Sequence, residues 1–190
     1  MKSRVLLSLT LLSLSALTFA QSDMEHKPAD KAAPSEAQKS FDTLKTFAGE
    51  WEGPVSVPEM PEMSGGKPLH VSLRVTSRGN AIVHELQESN TPLDATKYDH
   101  PVTMLYVDGG QLNLIHYCDA GNRPHMVGKM SPDGKTVEFT LVDISGSIEP
   151  GHMHHAVFTY IDANHHMEDW TYMMPGDKPI HAHFDVHRVN

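Results

Sequence analysis

Apolar and polar side chains alternate from Glu50 to the end of the chain, and this period of two is typical of β-strands. In "LHVSLRVT" at 69–76 every second residue is apolar, and "KTVEFTLV" at 135–142 places three large apolar residues on one face. The pattern predicts ten strands with approximate bounds 50–57, 69–77, 81–88, 101–108, 111–118, 125–130, 135–142, 152–161, 165–174 and 180–189.

Glycine-bearing and polar turn sequences separate these strands at regular spacing, which indicates antiparallel hairpins. The connections after the second, fourth, sixth and eighth strands are tight, and the other connections are mostly longer. Alternate loops of an up-and-down meander lie at opposite ends. We therefore expect a barrel with one end closed by tight turns and an open end that carries the longer loops.

One helical pattern precedes the strands. Ser35 with Gln38 fits a capping box, and Phe41 and Leu44 recur at helical spacing before Gly49. The absence of a second long helical pattern argues against a parallel sheet with crossover helices. The predicted fold class is all-β: a single antiparallel up-and-down β-barrel of about ten strands with one short N-terminal helix.

The first twenty residues have the pattern of a secretory signal peptide. Lys2 and Arg4 precede an apolar stretch that is too short for a stable membrane span, and small residues precede Gln21. We predict a signal peptide at 1–20, a disordered leader at 21–34 and a β-barrel domain at 35–190. This organisation predicts a periplasmic or secreted protein.

The net charge argues against some classes of partner, and the cysteine content excludes an intramolecular disulfide. The chain has a net charge of −9, which becomes −11 when Lys2 and Arg4 are removed with the predicted signal peptide. An acidic surface argues against a nucleic-acid partner, and we expect no stable membrane insertion. Cys118 is the single cysteine, so no intramolecular disulfide can form and a hydrophobic core has to hold the fold.

The histidines suggest metal chemistry at the open end. His152 and His154 in "GHMHHA" would share a face of the eighth strand about 6.6–6.8 Å apart, and His116 ends the fifth strand at the same end of the barrel. Three imidazoles that share one ion would suit Zn or Cu. The alternative is a histidine-rich strand end without a chemical role.

Two sequence features resemble the calycin superfamily, which includes lipocalins and fatty-acid-binding proteins. "FAGEWEG" at 47–53 carries Gly49-x-Trp51 at the start of the first strand, and "AHFDVHRV" places Arg188 near the end of the last strand. "HYCDAGN" and "GHMHHA" are similar to stretches of exported bacterial proteins of lipocalin-like type. The resemblance implies that Arg188 packs over the Trp51 ring at the closed end, and it implies a barrel that holds a ligand.

The sequence therefore favours a protein that binds a small apolar or amphipathic molecule in the barrel. The expected ligand-binding residues, chosen for their place on the predicted strands, are Glu85, Tyr106, His116, Cys118, Trp170 and Tyr172. The first alternative is a metal-binding protein or metal-dependent enzyme that uses His116, His152 and His154. The second is an interaction module with a filled barrel. No nucleophile-elbow, phosphate-loop or dinucleotide-binding motif indicates an enzyme.

Overall fold

The computed structural model describes residues 33–189. The helix α1 spans Glu36–Lys45. The strands are β1 (Gly49–Gly53), β2 (Val55–Ser56), β3 (Leu69–Thr76), β4 (Ala81–Glu88), β5 (Val102–Asp108), β6 (Gln111–Tyr117), β7 (Arg123–Met130), β8 (Thr136–Ser145), β9 (His152–Asp162), β10 (His165–Met174) and β11 (Lys178–Val189). Two single-turn 3-10 helices lie at Pro61–Met63 and Ser77–Gly79.

All strand pairs are antiparallel, and the sheet closes on itself. From β3 to β11 each strand pairs with the next one along the chain, and β1 pairs with both β3 and β11. The two-residue strand β2 also pairs with β11, so β1 and β2 form one strand that is interrupted at Pro54. The molecule is a closed ten-stranded antiparallel barrel with one short α-helix, which confirms the predicted fold class.

The helix α1 packs as its sequence predicts, but only the Ser35 half of the predicted capping box forms, because the Gln38 side chain donates to Asp42 Oδ1 at 2.9 Å. The Ser35 side chain accepts a hydrogen bond from the Gln38 backbone N–H at 3.1 Å, which satisfies one of the free donors of the first turn. Phe41 and Leu44 are buried against the barrel core, and the helix contacts β5, β6 and β7. The polar face of the helix remains in solvent.

The connections divide the barrel into two ends. Short turns join β3 to β4, β5 to β6, β7 to β8 and β9 to β10, and they lie at the end where β1 begins. The long segments 57–68 and 89–101 lie at the other end, where the shorter segments 118–122 and 146–151 also lie. The first is called the closed end below, and the second the open end.

Side chains fill the interior of the barrel. The largest fully buried ones include Trp51 and Trp170 together with Phe139, Phe158 and Leu114. Alternation places these residues on the inner face of their strands. The barrel is therefore a packed core along much of its length.

The predicted signal peptide at 1–20 and nearly all of the predicted leader at 21–34 lie outside the described residues. Within residues 33–189, no helix has both the length and the apolar character needed to cross a membrane.

Candidate functional site

The first and last strands meet at the closed end through Trp51 and Arg188, which are register partners. The Arg188 guanidinium carbon lies 4.1 Å from the centroid of the Trp51 ring, within the range of a cation–π interaction. The guanidinium also donates to the backbone oxygens of Ala48 and Ala163, both at 2.9 Å. A Cβ at Gly49 would lie 2.0 Å from Arg188 Nη1, so only glycine leaves room for this contact.

A polar cluster lies inside the barrel, between the closed end and the middle. The Glu168 carboxylate accepts hydrogen bonds from His84 Nε2 at 3.0 Å, His166 Nε2 at 3.0 Å and Trp170 Nε1 at 2.9 Å. The side chains of the two histidines and the glutamate have no exposed surface. We call Glu168, His84 and His166 the buried triad.

Electrostatics keep the carboxylate of the buried triad ionised. Burial alone would raise the pKa of Glu168, but the charge of His84 and the hydrogen bonds from His166 and His84 outweigh this effect. The pKa of Glu168 is therefore held well below its usual range. Three N–H donors compensate the carboxylate for the loss of water, which is what a buried charge requires.

His116 lies farther toward the open end. Its Nδ1 is hydrogen-bonded to Thr103 Oγ1 at 2.8 Å, and its ring lies 5.5 Å from the Trp170 ring, measured between centroids. Burial and then the charge of His84 lower the pKa of His116 to about 3, so its imidazole is neutral. Among the described residues, its buried Nε2 atom has no hydrogen-bond partner.

An apolar pocket of about 200 Å³ opens above Trp170 at the open end of the barrel. Four methionines contribute to its wall, two from the segment between β2 and β3 and two from the ends of β9 and β10. The lining residues are Val57, Met60, Met63, Met153, Trp170, Tyr172, Met174, Ile180 and Ala182. We call this cavity the methionine pocket.

Glu59 fixes the segment that carries Met60 and Met63. Its carboxylate accepts hydrogen bonds from the His181 ring Nδ1 at 2.6 Å and from the His181 backbone N–H at 3.1 Å. Ser64 Oγ also accepts a hydrogen bond from the Val57 backbone N–H at 2.7 Å. The segment 57–68 is therefore held against β11, and its methionines lie over the pocket.

The structure brings together only part of the predicted ligand-binding set. Trp170 and Tyr172 line the methionine pocket, and His116 lies against Trp170. Glu85 and Tyr106 do not face the interior, because the inward positions of β4 and β5 are taken by neighbours such as His84 and Leu105. Glu85 and Tyr106 therefore lie on the outer face of the barrel and not at its inner mouth, where the sequence had placed them.

Cys118 is also separate from the methionine pocket. It lies directly after β6 and lines an open groove with residues 95–100, Tyr117 and Asp119. Burial raises the pKa of its thiol, which does not favour a reactive thiolate. Cys118 was expected on a strand, but β6 ends at Tyr117, so Cys118 lies directly beyond it.

The predicted metal set of His116, His152 and His154 is not assembled. His152 Nε2 and His154 Nδ1 lie 3.3 Å apart. Across residues 33–189, however, these two histidines and His116 do not form a group whose ligand atoms all lie within 4.8 Å of one another. The structure therefore does not bring the three imidazoles together at one point, as the sequence had led us to expect.

A β-bulge explains why His152 and His154 do not face inward. Trp170 pairs with Ala156, but the register shifts beyond Thr171, so that Tyr172 pairs with Met153 and Met173 with His152. The extra residue reverses the alternation at the start of β9. Met153 therefore takes the inner position next to Tyr172, where an unshifted register would have placed His154.

The buried triad was missed by the sequence analysis, although the sequence carries a signal for it. His166, Glu168 and Trp170 occupy alternate positions of β10, and His84 alternates with Ile82 and Leu86 on β4. A carboxylate and two imidazoles on the same face as large apolar residues indicate a buried polar network. Only the contact between His84 on β4 and Glu168 on β10, across the barrel interior, requires the three-dimensional structure.

Comparisons with known proteins support the fold and do not indicate an activity. No protein-family model matches the chain, and no curated protein matches it. The solved structure of Rv2717c from M. tuberculosis is similar with a TM-score of 0.53 and 15% sequence identity, over 80% of this chain and 98% of that one. A protein of unknown function from the DUF3598 family of Nostoc punctiforme has a TM-score of 0.49 and 7% identity, over 77% of this chain and 49% of that one. At this identity, the likeness to Rv2717c shows a shared barrel fold.

Proposed function

We propose that the protein is an exported binding protein of calycin type that takes a small apolar or amphipathic molecule into the methionine pocket. The observation that carries this proposal is the pocket itself, whose lining side chains are apolar apart from the Tyr172 hydroxyl. That hydroxyl donates a hydrogen bond to the Pro150 backbone oxygen at 2.9 Å. A concave apolar surface at the mouth of a barrel is a typical binding site for small molecules.

The size of the pocket limits the ligand. Its volume of about 200 Å³ is below the range of about 300–1,000 Å³ found for drug-sized ligands. A short apolar chain or one end of a longer amphipathic molecule fits this volume, with a polar end in solvent between the loops. Methionine side chains are flexible and polarisable, so the wall adapts to related apolar shapes.

The buried triad contributes to this function through Trp170. Its ring forms part of the pocket wall, while its Nε1 donates to the Glu168 carboxylate. This hydrogen bond and the packing of His84 and His116 against the indole fix the orientation of the ring. The triad is thus a support for the pocket wall, and it has no exposed surface with which to contact a ligand.

A displacement assay tests the proposal. The neutral dye 1-N-phenylnaphthylamine becomes fluorescent in apolar sites, and decanoate or decanol should displace it from the wild-type protein. The variant Ala182→Leu fills the pocket from β11, so we expect at least about a tenfold loss of dye affinity, the equivalent of 1.4 kcal/mol. Thr159→Leu places the same side chain on the outer face of β9 and serves as the matched control. Equal dye affinity in Ala182→Leu and the wild type would show that the pocket is not the site.

The filled interior also favours the interaction module as a second candidate function, because a packed barrel leaves its outer surface to carry the activity. Native mass spectrometry of the protein purified from its own export compartment distinguishes the candidates. A bound small molecule supports the binding protein. A bound Zn or Cu ion supports the metal-dependent alternative only if the double variant His152→Ala/His154→Ala loses that ion. Protein that carries neither, in repeated preparations that retain weakly bound species, favours the interaction module.

A further inference from the structure

The outer face of β10 and β11 carries a series of histidine–carboxylate pairs. His183 contacts Asp169 at 2.7 Å, and His165 contacts Asp185 at the same distance. Period-two alternation places these four residues on the outer face, because their neighbours His166, Glu168, Phe184 and Val186 are buried inside. The pair of His165 and Asp185 differs from the pair of His183 and Asp169, because a second imidazole lies next to it.

His165, Asp185 and His187 form this larger group. His165 and His187 are register partners, and their rings stack with centroids 4.2 Å apart. The Nε2 atoms of both rings point to the same carboxylate oxygen, Asp185 Oδ1, at 2.7 Å for His165 and 3.7 Å for His187. All three ligand atoms lie within 4.8 Å of one another.

The backbone around this group is fixed by the closed end of the barrel. Arg188, which follows His187, donates its backbone N–H to Asn164 O at 3.0 Å and its side-chain Nε–H to Ala163 O at 2.9 Å. Ala163 and Asn164 form the turn that leads directly into His165. The two imidazoles are therefore held opposite each other by the same contacts that close the barrel.

Two imidazoles and one carboxylate form a donor set that suits borderline metal ions. Zn²⁺ binds histidine nitrogen at about 2.0–2.1 Å and carboxylate oxygen at about 2.0–2.2 Å, and Ni²⁺ and Cu²⁺ also favour imidazole. The three side chains are half-buried to exposed, so small rotations can bring the donor atoms to these distances. Water would complete the coordination of the ion.

A second group in the described part of the chain, Asp99, Cys118 and Asp119, meets the same distance criterion. It is a weaker candidate, because burial and then the charge of Asp119 raise the pKa of Asp99, while burial raises that of the Cys118 thiol. Both shifts disfavour the deprotonated forms that bind a metal.

We propose that His165, Asp185 and His187 form a binding site for a divalent transition-metal ion on the outer face of β10 and β11. This site is separate from the methionine pocket, so it does not depend on the proposed ligand. A metal ion there would tie β10 to β11 next to the seam at which β11 pairs with β1.

Zinc titration of the full chain by isothermal calorimetry tests the site. We expect one Zn²⁺ ion to bind to the wild type, and we expect His165→Ala and His187→Ala each to weaken binding by at least about tenfold. Because a metal that binds only the folded state raises its stability, Zn²⁺ should also raise the Tm of the wild type and not that of these variants.

The matched control is His183→Ala, which removes a histidine with the same 2.7 Å carboxylate contact on the same two strands but without a second imidazole. The double variant His152→Ala/His154→Ala controls for the histidines at the start of β9. Both controls should keep the wild-type affinity. Equal zinc affinity in His187→Ala and the wild type, or an equal loss in His183→Ala, would overturn the proposal.

Discussion

The two ends of the barrel are built from different side chains and have different degrees of packing. At the closed end, Trp51 is 1% exposed and is enclosed by Arg188, Phe47 and His166. At the open end, Met63 is 56% exposed and contributes to the wall of the methionine pocket. The comparison teaches that the contacts that close the barrel and the proposed ligand pocket lie at opposite ends, so each can be changed without the other.

The largest expected effect is at the closed end. Trp51→Ala removes a buried indole, its hydrogen bond to Phe47 O at 2.8 Å and the partner of Arg188. We expect the free energy of unfolding to fall by about 3–5 kcal/mol in a denaturant titration. Leu93→Ala, at a residue that is 73% exposed in the long segment 89–101, should change it by less than about 0.5 kcal/mol. Similar losses in the two variants would remove the distinction between the ends.

The barrel interior should respond to acid through His116. Its folded-state pKa is about 3, below the usual value of 6.5, so the unfolded chain takes up a proton first as the pH falls. The stability from the neutral buried ring is complete above pH 6.5 and should decrease by about 1.4 kcal/mol per pH unit below it. His116→Gln should lose this part of the pH dependence, whereas His183→Gln, on the outer face, should keep it. Parallel stability–pH curves for the wild type and His116→Gln between pH 4 and 6 would contradict the prediction.

Removal of methionines from the open end should affect binding more than stability. We expect Met60→Ser/Met63→Ser to change the free energy of unfolding by no more than about 0.5 kcal/mol per site, because both side chains lie on a surface segment. The same double variant should weaken binding of 1-N-phenylnaphthylamine, since it makes the pocket wall polar. Leu93→Ser, on another segment of the same end, is the control for dye binding. A large loss of stability with unchanged dye affinity would reverse the roles given to the two ends.

The sequence predicted the closed end better than the open end for a physical reason. The contact of Arg188 with Trp51 was implied by the resemblance to the calycin superfamily. It also agrees with the pairing of the first and last strands in a closed barrel, which does not depend on the loops. The open end depends on the β-bulge at the start of β9, which changes the inward residue from His154 to Met153. A β-bulge cannot be recognised from the alternation of apolar and polar residues. The sequence therefore placed His152 and His154 inside the barrel, where the structure has Met153.

The buried triad illustrates a second limit. The alternation of His166, Glu168 and Trp170 was present in the sequence, but a third hydrogen-bond donor to Glu168, His84, lies on β4, far along the chain. Sequence periodicity assigns residues to a face and does not say which residues meet across the barrel. The same limit applies to His165 and Asp185, whose contact follows from the register of β10 against β11.

The smallest expected effect is the release of the segment 57–68 by acid, which depends on Glu59. Hydrogen bonds from the side chain and backbone of His181 lower the pKa of Glu59 below its usual 4.5. The contact is therefore complete above pH 4.5 and is lost as the pH falls through the lower folded-state value.

Because this segment supplies Met60 and Met63 to the pocket, dye affinity should fall in the wild type as the pH drops below 4.5, while circular dichroism still reports a folded barrel. Glu59→Gln should bind the dye more weakly at pH 6 and show little further change with acid, whereas Glu62→Gln, in the same segment, should behave as the wild type. If Glu59→Gln and the wild type lose dye affinity in parallel below pH 4.5, the acid response belongs to the barrel interior and the segment is held in place by other contacts.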